Sequence, residues 1–295
     1  MRIAVTGRTG QVASALIEQG RRAGYEIVAL SRPELDLSCP SSVLPALEAA
    51  RPDVVVSAAA YTAVDKAESE RELAFAINST GAGAVAEAAR AMGLPLLHLS
   101  TDYVFDGKLG RPYREDDTTA PTGVYGASKL AGEQAVLAAH GGNSAVLRVA
   151  WIFSPFGGNF VKTMLRLAAD RDEISVVADQ IGSPGNAFDI ADGVLRVADN
   201  LVGGTVPSQR GVFHMAAGGE ASWADFAEAI FAASAARGGP FARVRRITTA
   251  EYPTPASRPA NSRLDSSRIA VAHGVTLPPW QEALAQVIAR LQPAG

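Results

Sequence analysis

The feature that most restricts this chain's fold is a turn close to its first residue. Residues 3–6 form a short, mostly apolar run that enters Gly7-Arg8-Thr9-Gly10-Gln11-Val12-Ala13, and from Gln11 onward Val12, Leu16 and Ile17 recur at helical spacing. A strand, a glycine turn and a helix in that order bring free amides and the positive end of a helix dipole to one point, which suits an anion. Gly7 permits the tight turn, Gly10 lets backbone approach a pyrophosphate, and Ala13 lets the helix pack closely on the strand. The spacing is GxxGxxA rather than GxGxxG, and it predicts a dinucleotide-binding turn.

The alternation continues. The first helix, 11–23, stops at Gly24; residues 26–30 read as a second strand, and 41–50 as a short helix broken by Pro52. Residues 53–56 are nearly all apolar, as a central parallel strand covered on both faces should be. A helix over 73–92, a strand over 94–99, a helix over 124–139 and a strand over 145–150 follow. This order predicts an α/β fold, a Rossmann-type doubly wound parallel sheet. After Trp151 the rhythm loosens. Helices are expected at 160–169, 190–201, 223–236 and 280–291 and a strand at 174–177, while Pro253, Pro255 and Pro259 make 252–263 extended. Residues 1–151, completed by roughly 186–215, should form the dinucleotide-binding domain. Residues 152–185 and 216–295 should form a smaller, partly interleaved substrate domain.

Composition narrows the function. The 295-residue chain carries a net charge of −3, which gives no electrostatic reason to expect nucleic acid or an acidic membrane surface. The single Cys39 excludes an intrachain disulfide framework and cysteine-rich zinc motifs, and it fits a reducing cytosol; the four His show no HExxH spacing. The early strand leaves no room for a cleavable leader, and no apolar run approaches the roughly 20 residues of a membrane span. The expectation is a soluble cytoplasmic protein with no metal and no nucleic-acid or membrane partner.

The end of the second strand bears on the coenzyme. An acid there bonds the ribose 2′-OH of NAD, whereas an Arg accommodates the 2′-phosphate of NADP. Ser31 and Arg32 stand there with no acid before Glu34, so NADPH is expected, with NADH as the alternative. Tyr125 and Lys129 are four residues apart and share a helical face. A Tyr ordinarily titrates near about 10, and a nearby ammonium and an oxidised nicotinamide both favour its phenolate. Such a phenol can give a proton to a developing alkoxide and recover it later, and Lys129 can also hold the nicotinamide ribose. Ser100-Thr101-Asp102 lies just past the fourth strand, at the carboxyl edge where open α/β sheets bind ligands. Thr101 offers a hydroxyl to a carbonyl oxygen gaining negative charge. Singly, each has a plain structural alternative: a turn or cap for Thr101 and Asp102, a packed aromatic for Tyr125, a solvated charge for Arg32. Jointly, behind the glycine turn, they point to a reductase.

Six segments carry a resemblance: GRTGQVA at 7–13, AAAYTAVDKAE at 58–68, STDYVFDG at 100–107, VYGASKLAGE at 124–133, NFVKTMLRLA at 159–168 and YPTPASRPANSRLD at 252–265. Together they resemble the extended short-chain dehydrogenase/reductases and, more narrowly, the dTDP-4-dehydrorhamnose reductase family, over nearly the whole chain. TAVDKAE and YPTPASRPANSRL are the narrower signatures. The resemblance implies NAD(P)H-dependent reduction of the C4 ketone of dTDP-4-dehydro-L-rhamnose to dTDP-L-rhamnose. Tyr125 would donate the proton, Lys129 would be its partner, and Thr101 would polarise the carbonyl. The resemblance also implies Gly10, Gln11 and Val12 at the pyrophosphate, Asp36 and Leu37 near the adenine, and Ala60, Tyr61 and Thr62 along the coenzyme. Asp102 and Trp151 would lie beside the sugar nucleotide. Asn159 and Arg258 are candidates for its diphosphate, since an Arg fork donates bidentately to phosphate.

Three positions depart from the family pattern. Ala13 replaces a more frequent Gly, and Tyr61 a frequent His. Phe188 stands where some members carry a helix Glu that holds a dimer-bridging magnesium; a phenyl ring gives a hard cation no oxygen. That argues against the magnesium and that dimer, leaving a monomer or weak homodimer. Two rival functions remain open at this level. Another NDP-4-keto-sugar reductase or epimerase would share the loop, the Tyr and the Lys. A non-catalytic NADP-binding regulatory subunit would share the fold, although intact Thr101, Tyr125 and Lys129 count against it.

Overall fold

The computed structural model describes residues 1–292. Strands β1 (Arg2–Thr6), β2 (Glu26–Leu30), β3 (Val54–Ser57), β4 (Leu96–Thr101) and β5 (Ser144–Val149) join a sixth, Gly211–His214, in one parallel sheet. From one edge the order is Gly211–His214, β5, β4, β3, β1, β2. The order reverses between β1 and β3, and the crevice past the carboxyl ends of such a pair is where α/β sheets take ligands.

Residues along each strand alternate between two packed layers, as the two-residue period of a strand requires. Ile3, Val5, Val54 and Val56 join a core built with the Gln11–Arg22 and Ala187–Gly203 helices. Ala4 and Val55 join another, built with the Val43–Ala50 and Ala82–Ala91 helices. The first core runs on without a break into the C-terminal region, where Phe153, Phe213, Phe226 and Trp280 belong to it. There the Phe160–Ala168 and Trp223–Ala235 helices pack on a parallel pair of strands, Glu173–Val177 with Arg243–Ile247, and the Trp280–Leu291 helix packs on Trp223–Ala235. The proline-rich segment crosses back onto the first half. Its Ala256 N–H donates to Asp65 Oδ1 at 3.2 Å, and its Asn261 N–H donates to the Gly107 carbonyl at 3.1 Å.

Several elements differ from the sequence expectation. The helix expected over 73–92 is three pieces, Arg71–Phe75, a π-helical Ala76–Gly81 and Ala82–Ala91. Thr101 is the last residue of β4 rather than the residue beyond it. The Gly211–His214 and Arg243–Ile247 strands carried no strand signal, since the first opens on a glycine at φ +111° and the second bears three largely exposed or half-exposed arginines in place of apolar alternation. Among the described residues no helix is long and apolar enough to cross a membrane.

Candidate active site

A cavity of about 1240 Å³ lies at the carboxyl ends of the sheet strands. On one side it is lined by the glycine turn. Gly7 has φ +95°, open to glycine at little cost, and its N–H reaches the Leu30 carbonyl at 2.6 Å, turning the chain off β1. Gly10 caps the Gln11–Arg22 helix without any side-chain cap, and nothing lies within 4 Å of where its Cβ would stand. First-turn amides of a helix lack partners within the helix, so this opening is suited to a phosphate. Gln11, Val12, Ser31, Arg32, Asp36, Leu37, Ala60, Tyr61 and Thr62 all line the cavity. Hydrogen bonds from the Ser38 hydroxyl and N–H hold the Asp36 carboxyl below the usual carboxylate range. Arg8, not among the expected site residues, lines the cavity too and donates to the Ala29 carbonyl at 3.2 Å. Its place inside the glycine turn, one residue past Gly7, was the signal that could have found it.

The other side is aromatic. Trp151 stacks on Trp223 with ring centroids 3.6 Å apart and planes 7° apart, and Phe160 leans on Trp223 at 4.6 Å. Trp151 has φ +46°, a left-handed conformation that strains a bulky residue, and the surrounding packing has to hold it. Neither Trp223 nor Phe160 was among the expected site residues. No local pattern ties them to Trp151.

Between the two sides stand the catalytic candidates. The Val124–His140 helix carries Tyr125 in its first turn and Lys129 one turn later. Gly126 allows the approach: a Cβ there would lie 2.1 Å from the Tyr103 carbonyl oxygen, so the helix can abut the Asp102–Val104 turn only with a glycine. Glu68, from TAVDKAE, caps the helix from outside, its Oε1 accepting from the Val124 N–H at 2.9 Å. Tyr125 packs edge-on against Tyr103 with centroids 5.5 Å apart. Burial pushes the Tyr125 phenol well above its ordinary value, while contact with the Thr101 hydroxyl works the other way. Thr101 Oγ1 donates to Asp102 Oδ1 at 3.0 Å and accepts from the Tyr103 N–H at 3.2 Å. Burial lifts the Asp102 carboxyl to about 6 against hydrogen bonds from Ser262 and Thr101.

The Lys129 ammonium is buried and donates to the Leu99 carbonyl at 2.7 Å and to His98 Nε2 at 3.5 Å. Burial lowers it to about 8, and the Glu133 carboxylate opposes that fall. At Tyr125 burial is the dominant influence, and it favours the protonated phenol. That form is a proton donor.

Two expected ligands do not line the cavity. Asn159 caps the Phe160–Ala168 helix, its Oδ1 accepting from the Lys162 N–H at 3.2 Å. Its Nδ2 donates to Gln11 Oε1 at 3.0 Å and to the Ser154 carbonyl at 2.8 Å, so the side chain braces the wall. Gln11 is engaged in the same brace, its Nε2 donating to the Ile152 carbonyl at 3.3 Å, which leaves its backbone for the cavity. Arg258 stands just outside, paired with Asp65 at 2.7 Å and 3.4 Å from the hydroxyl of the cavity residue Tyr103. Phe188 packs against Phe156 with the Arg290 guanidinium 5.0 Å over its ring, so a cation there would meet a positive charge and no oxygen from Phe188. Among the described residues no group of three His, Cys, Asp or Glu side chains is arranged to hold a metal ion.

Known proteins resemble this chain in sequence and fold. The family described as RmlD substrate binding domain matches residues 1–293. A dTDP-4-dehydrorhamnose reductase of Sinorhizobium fredii is 50% identical over 98% of this chain and 97% of its own length. The solved dTDP-4-dehydrorhamnose reductase of Clostridium acetobutylicum superposes with a TM-score of 0.91 at 36% identity, covering 99% of this chain and 100% of that one. The reductase of Bacillus anthracis, solved in complex with NADP, gives 0.89 at 36% identity over 98% and 99%. Likeness of this extent and depth makes the chain a member of the dTDP-4-dehydrorhamnose reductase family.

Proposed function

We propose that this chain uses NADPH to reduce the C4 ketone of dTDP-4-dehydro-L-rhamnose, yielding dTDP-L-rhamnose as the last step of dTDP-rhamnose synthesis. The observation that carries the reading is the meeting of Thr101, Tyr125 and Lys129 at one cavity, between an open glycine turn and an aromatic wall. In this reading residues 1–151 with 186–215 hold the coenzyme, and 152–185 with 216–295 hold the sugar nucleotide. The protein acts in the cytoplasm as a monomer or weak homodimer.

The coenzyme fits the open cradle at Gly10, where no protein atom stands near the missing Cβ. The backbone of Gly10, Gln11 and Val12 receives the pyrophosphate, and Gly7 keeps the turn tight. Asp36 and Leu37 border the adenine, Ser31 and Arg32, joined by Arg8, face the 2′-phosphate, and Ala60, Tyr61 and Thr62 run along the remainder. Leu99 and His98 take two of the three ammonium protons of Lys129, leaving the third for the nicotinamide ribose. Bound there, NADPH supplies the hydride to the ketone carbon.

The chain's own groups do the rest. Thr101 directs its hydroxyl at the ketone oxygen and stabilises its growing negative charge. Tyr125 keeps its proton in the resting site because burial disfavours the phenolate, and it yields the proton to the far more basic alkoxide. Asp102 and Trp151 hold the sugar. Arg258 exchanges Asp65 for the diphosphate, whose paired oxygens its planar fork fits.

The test is NADPH consumption with dTDP-4-dehydro-L-rhamnose made enzymatically in situ. One NADPH should disappear per sugar reduced, whereas an epimerase recycles its coenzyme. Tyr125→Phe keeps the ring and removes the proton, and should lower kcat by about 10²–10⁴-fold. Full activity in Tyr125→Phe, or coenzyme binding without turnover in the parent, would overturn the reading.

A further inference from the structure

Trp151 keeps a left-handed backbone at φ +46°, and such strain persists only where neighbours leave no alternative. Residues 181–186, all but the first buried, supply those neighbours. Gly185 donates its N–H to the Trp151 carbonyl at 3.1 Å, and Gly185–Asn186 pairs with Ile152–Phe153, the two residues that follow Trp151. A Cβ on Gly185 would lie 2.8 Å from the Ala150 carbonyl oxygen, so the two stretches of backbone run this close only with glycine there.

Gly182 does the same for the ring. A Cβ on it would lie 2.4 Å from Trp151 Cε2, 2.7 Å from Nε1 and 2.8 Å from Cζ2. Carbons in ordinary contact stand about 3.5–4.0 Å apart. Cε2 is bonded to the other two atoms. A point nearest Cε2 and slightly farther from both of its bonded neighbours stands over the face of the ring, not off its edge. Trp223 covers the opposite face, in a stack with centroids 3.6 Å apart, and Phe160 backs Trp223 at 4.6 Å. The indole therefore lies between a bare glycine and a second indole, and it meets the cavity along its edge. Gly182 has no positive φ, so the ring alone stands in the way of a side chain there.

The same segment reaches the rest of the wall. Gly182 and Ile181 pair with Ala221 and Ser222, and Ser222 caps the helix whose first residue is Trp223. Ile181 also donates its N–H to the Ala260 carbonyl at 2.8 Å and accepts from the Ser262 N–H at 2.7 Å, which ties it to the proline-rich segment that carries Arg258.

We propose that Gly182 is a positioning residue for the sugar nucleotide. By offering no side chain it seats the Trp151 indole flat against Trp223, and this sets how far the indole edge projects into the cavity and which sugar the wall admits. The inference rests on the reading that this wall holds the sugar nucleotide.

Gly182→Ala is the test. The ring cannot retreat onto Trp223, already in contact, so it must slide or tilt. Affinity for dTDP-L-rhamnose, measured by calorimetry, should fall about 10-fold, and KM for the ketone should rise alike. The kcat should stay within about threefold and NADPH affinity should not change, since the reacting groups and the glycine turn are untouched. In Trp151→Leu no ring remains to be displaced, so adding Gly182→Ala should weaken sugar-nucleotide affinity by less than about twofold further, the non-additivity of residues in contact. The ligand-free readout is near-ultraviolet circular dichroism. Gly182→Ala should alter the indole band that Trp151→Leu removes, and should add no change once that band is gone. If Gly182→Ala alone is too unstable to assay, recovery of its thermal stability on adding Trp151→Leu upholds the seating of the ring, and no recovery overturns it. Losses that add in the double variant, an indole band unmoved by Gly182→Ala, or NADPH affinity falling as far as that for the sugar nucleotide all overturn the proposal. A parent that binds dTDP-L-rhamnose, loses it on Gly182→Ala and yet never consumes NADPH upholds the proposal and sinks the reductase reading instead.

Discussion

The two sides of the cavity are made of different material. The side assigned to the coenzyme is mainly backbone: Gly7 at positive φ, Gly10 facing open space, and the ends of parallel strands. The side assigned to the sugar nucleotide is stacked side chains, with Trp151, Phe160 and Trp223 brought together from three segments and Trp151 held in a strained conformation. A strand, turn and helix fix backbone amides through local geometry that any packed neighbour tolerates. An aromatic stack exists only once distant elements have packed, and one substitution can retune it. Specificity for a sugar nucleotide is therefore more easily altered on the second side than coenzyme binding is on the first. Tyr125 and Thr101 stand at the seam and depend on both.

The seam should be the most sensitive place. Gly126→Ala places a methyl 2.1 Å from the Tyr103 carbonyl oxygen, so the helix or the turn must move and Tyr125 must shift relative to Thr101. Misplacement on the ångström scale should lower kcat by about 10²-fold, with NADPH affinity measured by fluorescence near the parental value. Equal losses in kcat and in NADPH affinity would show that the two sides are not separable at this point. Trp223→Leu reaches only the aromatic side. Losing a stacked pair should raise KM for the sugar nucleotide about 3–10-fold and leave NADPH affinity unchanged. A change confined to NADPH affinity would place the sugar elsewhere.

The same contrast decides what the sequence disclosed. The sheet, the glycine turn and the Tyr125–Lys129 pair follow from local rules, a two-residue or helical period with glycine punctuation, and these are legible one segment at a time. Trp223 was readable as part of a helix but not as a wall of the site, because stacking on Trp151 is tertiary. Asn159 was ambiguous for a related reason: an Asn before a helix is equally a cap, and the brace to Gln11 joins residues far apart in the chain. TAVDKAE and YPTPASRPANSRL were recognisable as signatures without a visible purpose. Packed together, they meet through Asp65, which accepts from Ala256 N–H and pairs with Arg258, while Glu68 caps the catalytic helix.

The smallest expected effect tests the backbone side itself. If the pyrophosphate is held by amides, the exposed arginines tune the choice between coenzymes more than they hold them. Arg8 and Arg32 are both exposed and both line the cavity. An exposed charge pair is worth up to about 1 kcal/mol, so Arg8→Ala should weaken NADPH binding about 2–5-fold. NADH, which lacks the 2′-phosphate, should bind as before. Arg32→Ala should behave alike, and the two together should bring NADPH and NADH close to parity. Added salt should mimic the double substitution in the parent protein, since screening acts on exposed charges and spares the amide contacts. Equal loss of NADPH and NADH on Arg8→Ala would mean that this guanidinium shapes the glycine turn through its bond to the Ala29 carbonyl, and that the backbone side is less self-sufficient than its geometry implies.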